Sequence, residues 1–318
     1  MTGQTFLVTG GCGFIGSHLA DALAAAGHRV RVLDDLSTGT RAHLPADARL
    51  LEADVADPAA AAAALEGVDG CFHLAAVASV ERGRREWRAT HRTNQSGTVT
   101  LLEAIARGPR PIPFVYASSA AVYGDAAALP IVETAAKSPL SAYGVDKLGS
   151  EMHAAVAARL HAIPTVGLRF FNVYGPRQDP RSPYSGVVSI FLDRLPRGEP
   201  VTLFGDGGQT RDFIHVADVV AVLAAAMSAT LAAARAGAIA GAEVFNVCTG
   251  TAVSVRALAQ TIADLAGRVP ELRSAPARDG DIRHSLGSPA ALRAAFALPP
   301  PRSLREGLAA TLAASARG

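Results

Sequence analysis

The first 170 residues alternate between short apolar runs rich in β-branched residues and longer segments of helical character. Thr5 to Thr9 (TFLVT) is an unbroken apolar run of strand length, followed by glycines and then a helical pattern from Ile15 to Ala26. Gly27 comes next, where a helix commonly ends on a left-handed residue. Arg29 to Leu33 (RVRVL) predicts the second strand, ending in Asp34-Asp35. Further strands are predicted at Ala48 to Glu52, Gly70 to Leu74, Phe114 to Ala117 and Thr165 to Phe170, with helices at Pro58 to Leu65 and Gly97 to Ala106. This alternation predicts an α/β fold, a doubly wound parallel sheet covered by helices on both faces.

Past Phe171 the rhythm breaks. Pro, Gly and Arg cluster between Tyr174 and Gly186, shorter elements follow, and Pro299 to Pro301 precede a final helix. The pattern divides the chain into a first domain at 1–170 and a smaller lobe at 171–318, with the chain expected to cross between them. The longest uncharged apolar stretch, Val219 to Ala234, is 16 residues, short of the ~20 a membrane span needs. It reads as a buried helix.

Composition narrows the classes. Alanine occurs 66 times, so much of the 49% hydrophobic content is methyl groups. A net charge of +2 and scattered arginines give no polyanion-binding surface, which argues against a nucleic-acid partner. Cys12, Cys71 and Cys248 are odd in number and far apart, which suits a reducing compartment and neither a disulfide framework nor a metal site. With strand pattern starting within ten residues of Met1, the expectation is a cytoplasmic protein without membrane attachment. Of 30 basic residues only Lys137 and Lys147 are lysine. A chain that writes arginine almost everywhere draws attention to each lysine it keeps.

Candidate chemistry starts at the first turn. Gly11, Gly13 and Gly16 satisfy G-x-G-x-x-G, and Gly10, Gly13 and Gly16 give the variant G-x-x-G-x-x-G. Between a strand and a helix, such glycines let the backbone approach a pyrophosphate at the helix N-terminus. Asp34 lies 18 residues beyond Gly16, near the ~20 expected for an acid bonding a ribose hydroxyl. A carboxylate there repels a 2′-phosphate and favours NAD; Arg41 is the nearby group that would favour NADP.

Tyr143 and Lys147 stand four apart, so on a helix both project from one face. An ammonium beside a phenol is expected to lower the phenol pKa and produce a base for an alcohol proton. Arginine's planar fork replaces a compact ammonium poorly. Lys137 has no such setting and reads as a surface residue.

Together with these, His73-Leu74-Ala75-Ala76, Asn94 with Gly97-Thr98, and Ser118-Ser119 resemble the extended short-chain dehydrogenase/reductases. Arg169 to Arg177 (RFFNVYGPR), Gly205-Asp206-Gly207 and Thr210-Arg211-Asp212-Phe213 resemble their nucleotide-sugar branch, nearest the UDP-hexose 4-epimerases. The resemblance runs from Thr5 to about Leu298. It implies Tyr143 as base on the sugar 4-hydroxyl, Ser119 sharing its hydrogen bond, and Lys147 on the nicotinamide ribose. It implies cofactor contacts from Gly10, Gly13, Phe14, Ile15, Gly16, Asp34, Asp35, Ser37, Thr38 and Gly39. Further along, Asp54 (toward adenine), Val55, Leu74, Ala75, Ala76, Asn94, Ser118 and Phe170 join them. For the UDP-sugar it implies Asn172, Val187, Val188, Leu203, Phe204, Arg211, Arg278, Asp281 and Ser285. The implied reaction is transient oxidation at carbon 4 with hydride returned to the opposite face, in a homodimer formed through helices that include the Tyr143 segment.

The same resemblance separates the alternatives. Dehydratases of this branch carry Asp-Glu where Ala120-Ala121 stand, and a decarboxylase would want a glutamate there. Uronic-acid epimerases resemble this loop but with an arginine where Asp179, repulsive to a carboxylate, stands between Arg177 and Arg181. Ser285 is small enough to admit a 2-acetamido group, so both UDP-galactose and its N-acetyl analogue are expected to fit. Ala78 stands where relatives often contact the cofactor with Lys or Gln, which implies weaker NAD retention. A sugar reductase and a redox sensor remain the rival classes; the sensor reading sits poorly with the Tyr/Lys pair. His73 is expected to position backbone rather than act as an acid, and His153 and His161 to lie on the surface.

Overall fold

The computed structural model describes residues 3–78, 80–180, 186–236, 241–277 and 282–315. The first half supplies β1 (Thr5–Thr9), β2 (Arg29–Asp34), β3 (Arg49–Glu52), β4 (Gly70–His73), β5 (Phe114–Ser119) and β6 (Thr165–Phe170). The second half adds β7 (Asn172–Tyr174), β8 (Val201–Phe204), β9 (Thr210–His215), β10 (Glu243–Val247), β11 (Ala252–Ser254) and β12 (Leu272–Ala275). Seven of these form one sheet, ordered β10-β6-β5-β4-β1-β2-β3, and every pairing in it is parallel. The chain winds outward from β1 to β2 and β3, then returns to β4 on the other side. That reversal opens a crevice at the carboxyl ends of β1 and β4, the ordinary place for a ligand in such sheets.

Both faces are covered. Helix Phe14–Ala25 and helix Val216–Arg235 lie on one, burying Leu19, Leu23, Val219, Leu223 and Met227 against Phe6, Val8 and Phe72. Helices Pro58–Leu65, Gly97–Arg107 and Ala142–His161 bury Ala61, Leu101, Ile105 and Ala154 against Leu7, Cys71 and Phe114 on the other. Helix Val216–Arg235 is long and apolar enough to cross a membrane by length and composition, yet half of its most apolar window is buried inside this fold. The three cysteines are free and buried.

A third core, around Val188, Phe191, Leu203, Phe213, Leu258 and Ile262, belongs to the second lobe. Its small sheets run β11-β9-β7 and β12-β8. The sequence pattern assigned no strand to Glu243–Val247, which pairs with β6 at the edge of the large sheet. Together with helix Val216–Arg235 it carries the chain back into the first layer. A boundary at residue 170 therefore follows chain order and not space.

Candidate active site

The glycine turn follows β1 and opens helix Phe14–Ala25. Gly10 has φ +68, and a Cβ there would come within 2.7 Å of the Ala75 nitrogen, so the turn and the Leu74–Ala76 segment pack backbone to backbone. A Cβ on Gly16 would collide with the Gly10 carbonyl. Around Gly13, by contrast, a Cβ would meet only the Gly10 carbonyl oxygen, at 3.3 Å. No side chain caps the first turn of the helix. Phe14, Ile15 and Gly16 thus offer free backbone N–H groups and the positive end of the helix dipole, a fit for a pyrophosphate.

Asp34 closes β2 at 8% exposure, its Oδ2 accepting from the Cys12 N–H and Oδ1 from the Leu36 N–H, each 2.9 Å. Burial raises its pKa, and the two N–H donors oppose that. Asp35 accepts from the Ser37 N–H and hydroxyl, which shapes the turn leading to Thr38 and Gly39. Arg41, the group that would favour a 2′-phosphate, is ion-paired to Glu52 at 2.8 Å on the surface. Asp54 accepts from Arg92 and the Ala56 N–H. Asn94 is buried and clamps Val77, accepting from its N–H and donating to its carbonyl. His73 is hydrogen-bonded to Thr9 and Thr98, and burial lowers its pKa to about 3. Its ring holds two threonine hydroxyls, and that of Thr9 also accepts from the Ala75 N–H at 3.2 Å.

Tyr143 and Lys147 lie in the first turns of helix Ala142–His161, whose N-cap Ser141 accepts from the Gly144 N–H. Ser119 stands at the end of β5, where its hydroxyl accepts from the Ala121 N–H at 3.1 Å. Lys147 is 4% exposed and donates to the Ala117 carbonyl at 2.8 Å, with its Nζ 5.8 Å from the Tyr143 ring centroid. Here the structure corrects the expected electrostatics. Burial raises the Tyr143 pKa, and the Ser119 side chain opposes this. The ammonium is turned toward a carbonyl, and burial lowers its own pKa to about 8 while Asp146 pulls it back up.

Several residues expected to touch cofactor or substrate turn their side chains elsewhere. Val55, Phe170, Val188 and Leu203 are buried in the hydrophobic cores. Along β8 burial alternates, so Leu203 faces inward and Phe204 is half-exposed. The Ser118 hydroxyl donates to Glu151, away from the crevice. The remaining substrate candidates Asn172, Val187, Arg211 and Ser285 are exposed or half-buried. Thr210 ties two of them together: its carbonyl accepts from the Ser285 N–H at 3.1 Å and from Arg211 Nη1 at 2.8 Å. Arg278, Asp281 and Arg181 lie outside the described residues.

Sequence reading missed Glu151, Arg169 and Asp212 as parts of the site's frame. Asp212 is fully buried and fixes the turn after β10 through Thr249 and Gly250. Glu151 continues the Tyr143, Lys147 spacing by another four residues, a signal that was present in the sequence.

A switch-point glycine turn, an acid ending β2 and a Ser119/Tyr143/Lys147 set at the end of β5 define an extended short-chain dehydrogenase/reductase. The profile of the NAD-dependent epimerase/dehydratase family matches residues 6–248. The chain belongs to this family and is a nucleotide-sugar epimerase-type isomerase that uses NAD. It is 36% identical to UDP-glucose 4-epimerase of Mycolicibacterium smegmatis, over 96% of each chain. UDP-glucose 4-epimerase of Thermotoga maritima, solved with UDP-glucose, superposes with a TM-score of 0.90 at 35% identity, covering 99% of both chains. UDP-N-acetylglucosamine 4-epimerase of Methanobrevibacter ruminantium superposes with a TM-score of 0.91 at 30% identity, covering 100% of this chain and 99% of the other.

Proposed function

We propose that the protein interconverts UDP-galactose and UDP-glucose at carbon 4, and accepts the 2-acetamido sugars as well. The observation that carries the reading is the Ser119/Tyr143/Lys147 set followed by Ala120 and Ala121. Tyr143 removes the 4-hydroxyl proton and returns it to the epimeric alcohol; Ser119 holds the phenol and shares that proton. Lys147 provides a fixed ammonium behind the phenol. Bound NAD supplies a reversible hydride acceptor for carbon 4. Methyl groups neither donate nor take a proton, so the two alanines leave no acid–base pair for eliminating water. The relatives named above act on UDP-glucose or UDP-N-acetylglucosamine by their names, which supports a uridine diphosphate sugar. Ser285 beside Thr210 and Arg211 supports tolerance at the sugar 2-position, because a small side chain leaves room for an acetamido group.

The functional unit in this reading is a cytoplasmic homodimer. Val145, Met152, Val156 and Leu160 are each half or more exposed on helix Ala142–His161. Their spacing of seven, four and four makes one apolar stripe, which a second copy would cover.

The test is to incubate the purified protein with UDP-galactose and NAD and separate the sugars. The expected product is UDP-glucose without net NADH, with slower conversion of the N-acetyl analogue. Net NADH would mark a dehydrogenase instead, and no turnover of the acetylated sugar would remove the dual specificity.

A further inference from the structure

Thr9 and His73 end β1 and β4 and stand opposite each other in register, where the crevice opens. A run of buried side chains leads from there to helix Gly97–Arg107. Thr9 Oγ1 is 2.7 Å from His73 Nδ1, and His73 Nε2 is 3.0 Å from Thr98 Oγ1. Thr98 in turn donates to the Asn94 carbonyl at 2.7 Å. Thr9, His73 and Thr98 are each 3% exposed or less.

Both ends of this run hold the segment that follows β4. The Ala75 N–H donates to Thr9 Oγ1 at 3.2 Å. The Asn94 side chain accepts from the Val77 N–H at 2.8 Å and donates to the Val77 carbonyl at 3.2 Å. The segment held in this way is the one that packs backbone to backbone against Gly10.

Counting protons gives the run a direction. Thr98 has one hydroxyl proton and spends it on the Asn94 carbonyl, so Thr98 Oγ1 accepts from the ring Nε2–H. Its second lone pair is open to the Ser150 hydroxyl at 3.0 Å. At the other end, Thr9 Oγ1 already accepts from Ala75, and its own proton has only His73 Nδ1 as acceptor among the described residues. A ring protonated at Nδ1 would leave the Thr9 proton without a partner in a dry site, which is costly. The two ends therefore select one tautomer. Burial and the Lys147 charge both oppose a second proton on the ring.

We propose that Thr9, His73 and Thr98 form a one-way hydrogen-bond relay, with His73 as the neutral Nε2–H tautomer, that positions the Leu74–Val77 segment for NAD. The three are positioning residues: they act through the backbone of that segment and through Asn94.

The test joins nuclear magnetic resonance of isotope-labelled histidine to NAD binding. The His73 signal is assigned by its loss in His73→Asn, and is expected to show a proton on Nε2 and none on Nδ1 at neutral pH. NAD dissociation constants are measured for Thr9→Val, Thr9→Ser and Thr165→Val beside the unaltered protein. Thr9→Val keeps the shape of the side chain and is expected to weaken NAD binding about tenfold, the order of one lost hydrogen bond. Thr9→Ser retains the hydroxyl and is expected to bind within about twofold of the unaltered protein. Thr165 is a fully buried threonine of the same sheet outside the relay, and Thr165→Val is expected to leave NAD affinity unchanged. A ring protonated at Nδ1, or at both nitrogens, overturns the proposal. So does an unmoved NAD affinity in Thr9→Val, or an equal loss in Thr165→Val. Neither measurement needs turnover, so the identity of the sugar does not enter.

Discussion

Lysine 147 shows how far one residue is legible from sequence. Its spacing from Tyr143 and its rarity in an arginine-rich chain single it out, and the structure places it at the site. Its partner was not legible. That Nζ reaches the Ala117 carbonyl depends on where β5 ends relative to the helix, which no spacing in the sequence records. The two lysines then make a paired prediction. Lys147→Arg is expected to lower turnover at least about a hundredfold, because a site 4% exposed has no room for a planar fork. Lys137 is exposed and donates to the Glu133 carbonyl, so Lys137→Arg is expected to leave kcat and KM unchanged. Steady-state kinetics of the two variants side by side check this. Equal behaviour would mean that charge alone matters at position 147.

Elements were legible where one local signal decides them. The parallel strands are short apolar runs between glycines and helices, and β6 spans Thr165–Phe170 as its pattern predicts. β5 reaches two residues further, through Ser118 and Ser119, because these pair with Arg169 and Phe170 of β6. Serines in that position look like the start of a loop. Glu151 and Arg169 were read past for a related reason: charged residues default to the surface, and only a partner across the core makes them buriable. Helix Val216–Arg235 carries a prediction of its own. His215 caps it, accepting from the Ala217 N–H, and burial lowers the ring's pKa to about 4. That lies below the free value of 6.5, so the folded chain binds fewer protons than the unfolded one. Stability from the neutral ring is whole above pH 6.5 and is lost as pH falls toward 4. Replacing His215 with asparagine keeps a capping acceptor without a titrating ring. Its melting temperature is expected to fall less steeply across that window than that of the unaltered protein, by calorimetry at stepped pH.

At the scale of the whole molecule, the returning β10 could not be read from its own five residues. A strand that joins a sheet by pairing with β6, more than 70 residues earlier in the chain, is fixed by topology rather than by local pattern. The consequence is mechanical: Asn246 ties β10 to the segment that follows β5, accepting from the Tyr123 hydroxyl and donating to the Ile131 carbonyl. The exposed stripe on helix Ala142–His161 belongs to this scale too. Met152→Glu with Val156→Glu would place two charges within it, and light scattering is expected to show a dimer for the unaltered protein and a monomer for the variant. An unaltered protein that is already monomeric would contradict the dimer.

The central claim is that carbon 4 is oxidised and reduced in one closed cycle by the same bound NAD. The most direct measurement follows UDP-galactose carrying deuterium at carbon 4 into product in ordinary water. The account predicts UDP-glucose with the deuterium still on carbon 4 and no net NADH. Loss of the label to solvent, or its accumulation in free reduced cofactor, would contradict it.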